Sequence, residues 1–159
     1  MKTSILAIDQ GSVKCGWAYR KDGKLIASGV WKLKGATRRD RYKQLIGLLH
    51  DTIKQNKVKT LAIEDLYQKR SKFNNPMLMK IMGETRGIII GVGLTYDVEI
   101  IDINPNSMTA YLGIKIRTES KKDKTRQWVK DTEGLEVGED EADAIALSAM
   151  THTKLTHPA

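Results

Sequence analysis

The sequence holds one cysteine, Cys15, and its three histidines, His50, His152 and His157, fall at no metal-ligand spacing. An intramolecular disulfide framework and a Cys-rich zinc site are thereby excluded, and Cys15 reads as a small buried hydrophobe. No apolar run approaches the ~20 residues that a membrane-spanning helix needs. The longest, around residues 87–94, is interrupted by glycines. The three prolines form no Pro/Ser linker, and neither a repeat nor a low-complexity tract divides the 159 residues. One domain over residues 1–159 is therefore expected, the usual count at this length. The apolar stretch at residues 4–8 is cut short by Asp9, which is not the pattern of a secretory signal, and a cytoplasmic protein is expected.

Charge, by contrast, is plentiful and unevenly placed. There are 27 Lys and Arg against 19 Asp and Glu, a net +8, yet residues 131–143 (DTEGLEVGEDEAD) hold seven carboxylates and no base, leaving +15 on the remainder. A basic surface around an acidic island suits a polyanion-binding protein with a cation site. A basic protein with one acidic loop is the plainer alternative.

Periodicity predicts the order β-β-β-α-β-α-β-α-α-α. Strands are expected over residues 4–9, 15–20 and 25–33, the last two joined by the Asp22-Gly23 hairpin signal. A helix over 37–56, a strand over 58–64, a basic loop over 68–75 and a helix over 76–94 opened by Pro76 follow. A strand over 98–103, short helices near 107–112 and 123–129, and an amphipathic helix over 139–152 complete the chain. The strands flanking the first helix should pair in parallel through a right-handed crossover. The expected product is an α/β fold, a five-stranded mixed sheet with helices on both faces.

Four acids stand out by position. Asp9 follows Ile5–Ile8 and Glu64 follows Leu61–Ile63, each a charge at the C-terminal end of an apolar strand, where open α/β sheets place ligands. Asp140 and Asp143, three apart, share one face at the start of the last helix. Singly, these acids also read as a turn cap and as partners of a helix dipole. Together they form a hard-oxygen set suited to Mg²⁺ or Mn²⁺, and such a cluster can hold two ions ~4 Å apart around a scissile phosphate.

The blocks ILAIDQGSVKCGWAY, LAIEDLY and DEADAIAL, with GETRG at residues 83–87, resemble the signature blocks of RuvC Holliday-junction resolvases in the ribonuclease H-like superfamily. The resemblance runs in the right order from the first strand to the last helix. It implies a ribonuclease H-like fold and a metal-binding catalytic tetrad of Asp9, Glu64, Asp140 and Asp143, holding two Mg²⁺ (or Mn²⁺) with Asp9 between them. Lys124 aligns with a lysine used near the scissile phosphate. The implied activity is paired nicking of Holliday junctions, with three-way junctions and forks as further branched substrates, leaving 5′-phosphate and 3′-hydroxyl ends. The compact length is more similar to a phage-encoded member.

Around the tetrad, Tyr67 could stack on an unpaired base. Lys69, Arg70 and Lys72, and beyond them Lys115, Arg117, Lys121 and Lys122, are candidate DNA-backbone contacts. Met108 stands where bacterial members carry a second lysine, a departure from the family pattern. Gly83, Gly87 and Gly91 line one helix face, which either packs on the protein's own sheet or, as the resemblance implies, builds a two-fold homodimer. Met77, Met79 and Met82 read as helix packing. Three other readings compete. An actin-like ATPase or sugar kinase needs two such domains, and a YqgF-type nuclease differs in its last block. A non-catalytic junction-binding protein would lack Mg²⁺-dependent turnover.

Overall fold

The computed structural model describes residues 1–66, 75–115 and 120–158. Its first three strands, β1 (Ser4–Asp9), β2 (Lys14–Lys21) and β3 (Lys24–Lys32), form an antiparallel meander. Asp22 and Gly23 both take positive φ, 48° and 81°, the geometry that lets a two-residue turn follow the strand twist. Helix α1 (Arg38–Asn56) is capped by Thr37, whose side chain accepts the Asp40 N–H. The chain then returns as β4 (Thr60–Glu64), parallel to β1, and after helix α2 (Pro76–Thr95) as β5 (Glu99–Ile103), parallel to β4. The sheet order is β3-β2-β1-β4-β5. Helices α3 (Pro105–Tyr111), α4 (Lys121–Glu133) and α5 (Glu139–Thr156) follow.

Side-chain size decides what each face receives. Leu6, Ile8, Leu61 and Ile63 point to one side and pack with Leu45, Leu49 and Ile53 of α1 and Ile89 and Val92 of α2. Ala7, Ala18 and Ala62 point to the other, together with Ile5 and Ile103. There α5 lies close, through its own Ala142, Ala144, Ala146 and Ile145, all fully buried. Burial of a large aliphatic side chain is worth about 1.5–3 kcal/mol, so the two faces supply most of what fixes the layers. The buried Arg20 of β2 ties the second face together, donating to Ser148 of α5, to the Gly23 carbonyl and to Glu133 of α4.

The order and pairing predicted from the sequence hold throughout. Two ends differ. Helix α4 starts at Lys121, two residues earlier than expected, because Ser120 caps it by accepting the Asp123 N–H. Helix α5 runs on to Thr156 rather than stopping at His152. Cys15 is fully buried and Trp31 nearly so, with Trp17 and Trp128 half-buried. Met77 and Met79 correct the packing expectation, since both are 55% exposed on the first turn of α2. No helix among the described residues is long and apolar enough to cross a membrane.

Candidate active site

Strand register brings the first two acids together. Ile8 of β1 lies opposite Ile63 of β4, so Asp9 and Glu64 leave the sheet side by side at its C-terminal edge. On the other flank Asp9 faces Gly16 of β2. A side chain at that glycine could not be housed, because a Cβ there would stand 1.9 Å from the Asp140 carbonyl oxygen. The bare backbone of Gly16 is thus the seat on which the first turn of α5 rests, delivering Asp140 and Asp143 to Asp9. The cap of α5 is Gly138, with no side-chain cap bond, so neither aspartate serves as a helix cap.

Crowding makes Asp9 the electrostatic centre. Its carboxyl is pushed up to about 8, first by burial, then by the charges of Asp143, Asp140 and Glu64 and by a hydrogen bond with the Asp140 side chain. Among the described residues no three acidic, histidine or cysteine groups stand at closed metal-ligand spacing. The set nonetheless suits a hard divalent cation. Its donors are all carboxylate oxygens, and the proton held on Asp9 is the positive charge that a cation would replace. The Gln10 carboxamide beside Asp9 is buried with no hydrogen-bond partner on either atom, a further oxygen without an occupation in the fold.

The acidic island is shared out rather than pooled. Glu133 pairs with Arg20, Glu136 with Lys130 and Glu139 with Lys122, and Glu141 accepts from Ser28. Asp140 takes Lys14 at 3.0 Å. Lys14 escaped sequence reasoning because it falls in the turn before the second expected strand and carries no motif. Arg86 of α2 was missed too, although it lies within the GETRG block. It donates to the Glu64 carbonyl at 3.2 Å and to the Asp102 carboxylate on β5, bracing the strand end that carries Glu64.

The family model of the crossover junction endodeoxyribonuclease RuvC matches residues 5–152. The chain belongs to the RuvC family. No curated protein sequence matches it significantly. Among solved structures, T. thermophilus RuvC in complex with a Holliday junction substrate is 15% identical with a TM-score of 0.80, covering 98% of this chain and 96% of that one. The yeast mitochondrial Holliday junction resolvase Ydc2 is 11% identical with a TM-score of 0.62, covering 92% and 76%. At these identities the likeness speaks for the fold, the ribonuclease H-like mixed sheet of RuvC.

Some of the remaining candidates of this RuvC-family chain lie among the described residues. Lys122 reaches Glu139 at 3.1 Å, one residue before Asp140, so the first turn of α4 lies against the first turn of α5. Lys124 stands exposed in that same opening stretch, Lys121 is half-buried, and Lys115 is exposed after α3. Tyr67, Lys69, Arg70, Lys72 and Arg117 lie outside the described residues. Met108 is 4% exposed and packs with Ile5, Ala7, Ile103 and Leu147. That position is therefore part of the core here, and a charge could not be housed there without repacking. Gly83, Gly87 and Gly91 do not pack on the sheet: all three are exposed, and a Cβ built at any of them meets nothing within 4 Å.

Proposed function

We propose that this chain is a divalent-metal-dependent endonuclease that nicks Holliday junctions, and other branched DNA such as three-way junctions and forks, acting as a homodimer. The observation that carries the reading is the crowding of Asp9 by three further carboxylates at the C-terminal edge of the sheet, in a chain of the RuvC family. Asp9, Glu64, Asp140 and Asp143 hold the cations. A pair of Mg²⁺, or Mn²⁺ in their place, supplies charge stabilisation for in-line hydrolysis and acidifies the attacking water.

The chain's own residues do the rest. Asp9 would give up its proton where a cation is held. Arg86 holds the end of β4, and with it Glu64, against β5. Lys124 offsets charge developing on the scissile phosphate. Lys115, Arg117, Lys121, Lys122, Lys69, Arg70 and Lys72 bind the sugar–phosphate backbone, and Tyr67 stacks on a base at the branch point. The open glycine stripe of α2, with exposed Met77, Met79 and Leu94 on the same helix, supports a two-fold interface. A C₂ dimer offers two identical sites to two opposed strands, which is what paired nicking needs.

The test uses four labelled DNAs of matched length: a four-way junction, a three-way junction, a fork and a linear duplex. Each is incubated with Mg²⁺ and either wild-type protein or Asp9→Asn. Symmetric nicks in the branched DNAs, absent from the duplex and lost in the variant, are expected. Tight binding without cleavage in either Mg²⁺ or Mn²⁺ would leave a junction-binding protein and overturn the nuclease reading.

A further inference from the structure

The far end of the sheet carries a second basic feature that the carboxylate site does not use. A cavity of about 660 Å³ opens where β1 and β4 begin and α1 ends, and Lys2, Lys21, Lys57 and Lys59 line it. Among the described residues none of these four ammonium groups lies within salt-bridge distance of a carboxylate. The one acid in the lining, Asp22, accepts the Thr3 N–H. Lysines gathered at a helix C-terminus ordinarily serve its free carbonyls, but here those of Ile53, Lys54 and Asn56 already have other donors. The Lys57 N–H caps those of Ile53 and Lys54, the Tyr19 hydroxyl donates to Asn56, and the Ser4 hydroxyl donates to Lys57. Lys57 itself sits in the left-handed region at φ 49°, at the point where the chain turns from α1 toward β4.

We infer that this cavity is a second phosphate-binding site, one that takes the backbone of a DNA arm away from the cleavage centre. The inference rests on the junction-nuclease reading above. Four unpaired lysines are point charges suited to phosphate oxygens. Tyr19, which supplies the ring in the lining, is 4% exposed, so a free nucleotide would find no platform for its base there. The reach is right for a branched substrate. Ser4 to Asp9 spans five strand steps, about 17 Å at ~3.3 Å each, and successive phosphates of one DNA strand advance ~3.4 Å along the axis. The cavity therefore lies about 17 Å from Asp9 through the domain, a separation that about five base pairs of an arm span.

The experiment measures binding of a labelled four-way junction in Ca²⁺ across a KCl series. It compares wild type with Lys57→Asn/Lys59→Gln, and with Lys2→Gln/Lys21→Gln on the opposite wall should the first pair fail to fold. Lys154→Gln removes a lysine from elsewhere on the surface as a control. The slope of log affinity against log salt should fall by about 1–2 in magnitude in the cavity variants, at ~0.9 for each phosphate no longer neutralised, and stay unchanged in the control. Thermal shifts with inorganic phosphate and with a mononucleotide form the second arm. An unchanged slope in a folded cavity variant overturns the inference while leaving the nuclease reading intact. So does a Lys57-dependent thermal shift with either small anion and no change in DNA slope. A wild-type protein that neither binds nor cuts any branched DNA overturns both.

Discussion

Removing the proton from Asp9 should destabilise the metal-free protein, and the size of the effect follows from its surroundings. Burial and three neighbouring acids lift its carboxyl from 3.8 to about 8 in the folded state. The folded chain therefore binds this proton more tightly than the unfolded one. The stability that the proton contributes is complete below pH ~4, is lost as pH rises toward 8, and is absent above. About 4 pH units at ~1.36 kcal/mol each set a ceiling of roughly 5 kcal/mol. Because Asp9 is partly solvent-exposed, and only part of that span lies between pH 5 and 8, about 2 kcal/mol is the expected loss over that interval. For a domain of this size, that is a fall in Tm of roughly 4–8 °C. His152 works in the opposite sense, since burial lowers its pKa and its contribution is lost as pH falls. The quantity to follow is therefore the difference between wild type and Asp9→Asn in thermal scans at pH 5, 6, 7 and 8, with EDTA and with Mg²⁺. Wild type should lose stability relative to the variant as pH rises, and Mg²⁺ should restore it most at pH 8. Parallel curves for the two proteins in EDTA would refute the crowding argument.

Three further outcomes can be checked. Gly16→Ala forces α5 off its seat, because the new Cβ would meet the Asp140 carbonyl oxygen at 1.9 Å; it should cost about 1–3 kcal/mol in denaturant unfolding and abolish cleavage under Mg²⁺. Arg86→Met strips the brace from Glu64 and leaves Asp102 unpartnered; the Mg²⁺ concentration for half-maximal cleavage should rise about tenfold, as for other groups that orient metal ligands. Gly87→Glu adds a charge to the open face of α2; sedimentation should show a monomer whose Tm is within about 2 °C of wild type, and paired nicks should give way to single ones.

Much of this was legible in the sequence because the relevant signals are local. Asp22-Gly23 announces its hairpin, and apolar runs that stop at Asp9 and Glu64 announce strand ends that carry charge. The parallel crossover then places those ends together, so half of the candidate site follows from topology. Asp140 and Asp143 were visible as a spaced pair, but their delivery depends on Gly16, and a strand glycine reveals its close neighbour only once the helix above it is placed. Arg86 was hidden for a similar reason. It carries no periodic signal and matters through a carbonyl and a carboxylate on two strands distant in sequence. Met77 and Met79 misled because apolar character marks a helix face without saying whether the protein or a partner covers it. The lysines at the far end of the sheet come from three separate segments and share no motif.

The seat at Gly16 also orders events in time. Two of the four acids ride on α5, the last helix in chain order, and reach Asp9 only when that helix docks on β2. A nascent chain that has not reached α5 contains only Asp9 and Glu64 of the four acids. With the four acids acting together as proposed, cleavage competence waits on the docking of α5. On that proposal an incomplete chain would hold lysines for DNA but not the full carboxylate set, a fail-safe built from one missing side chain.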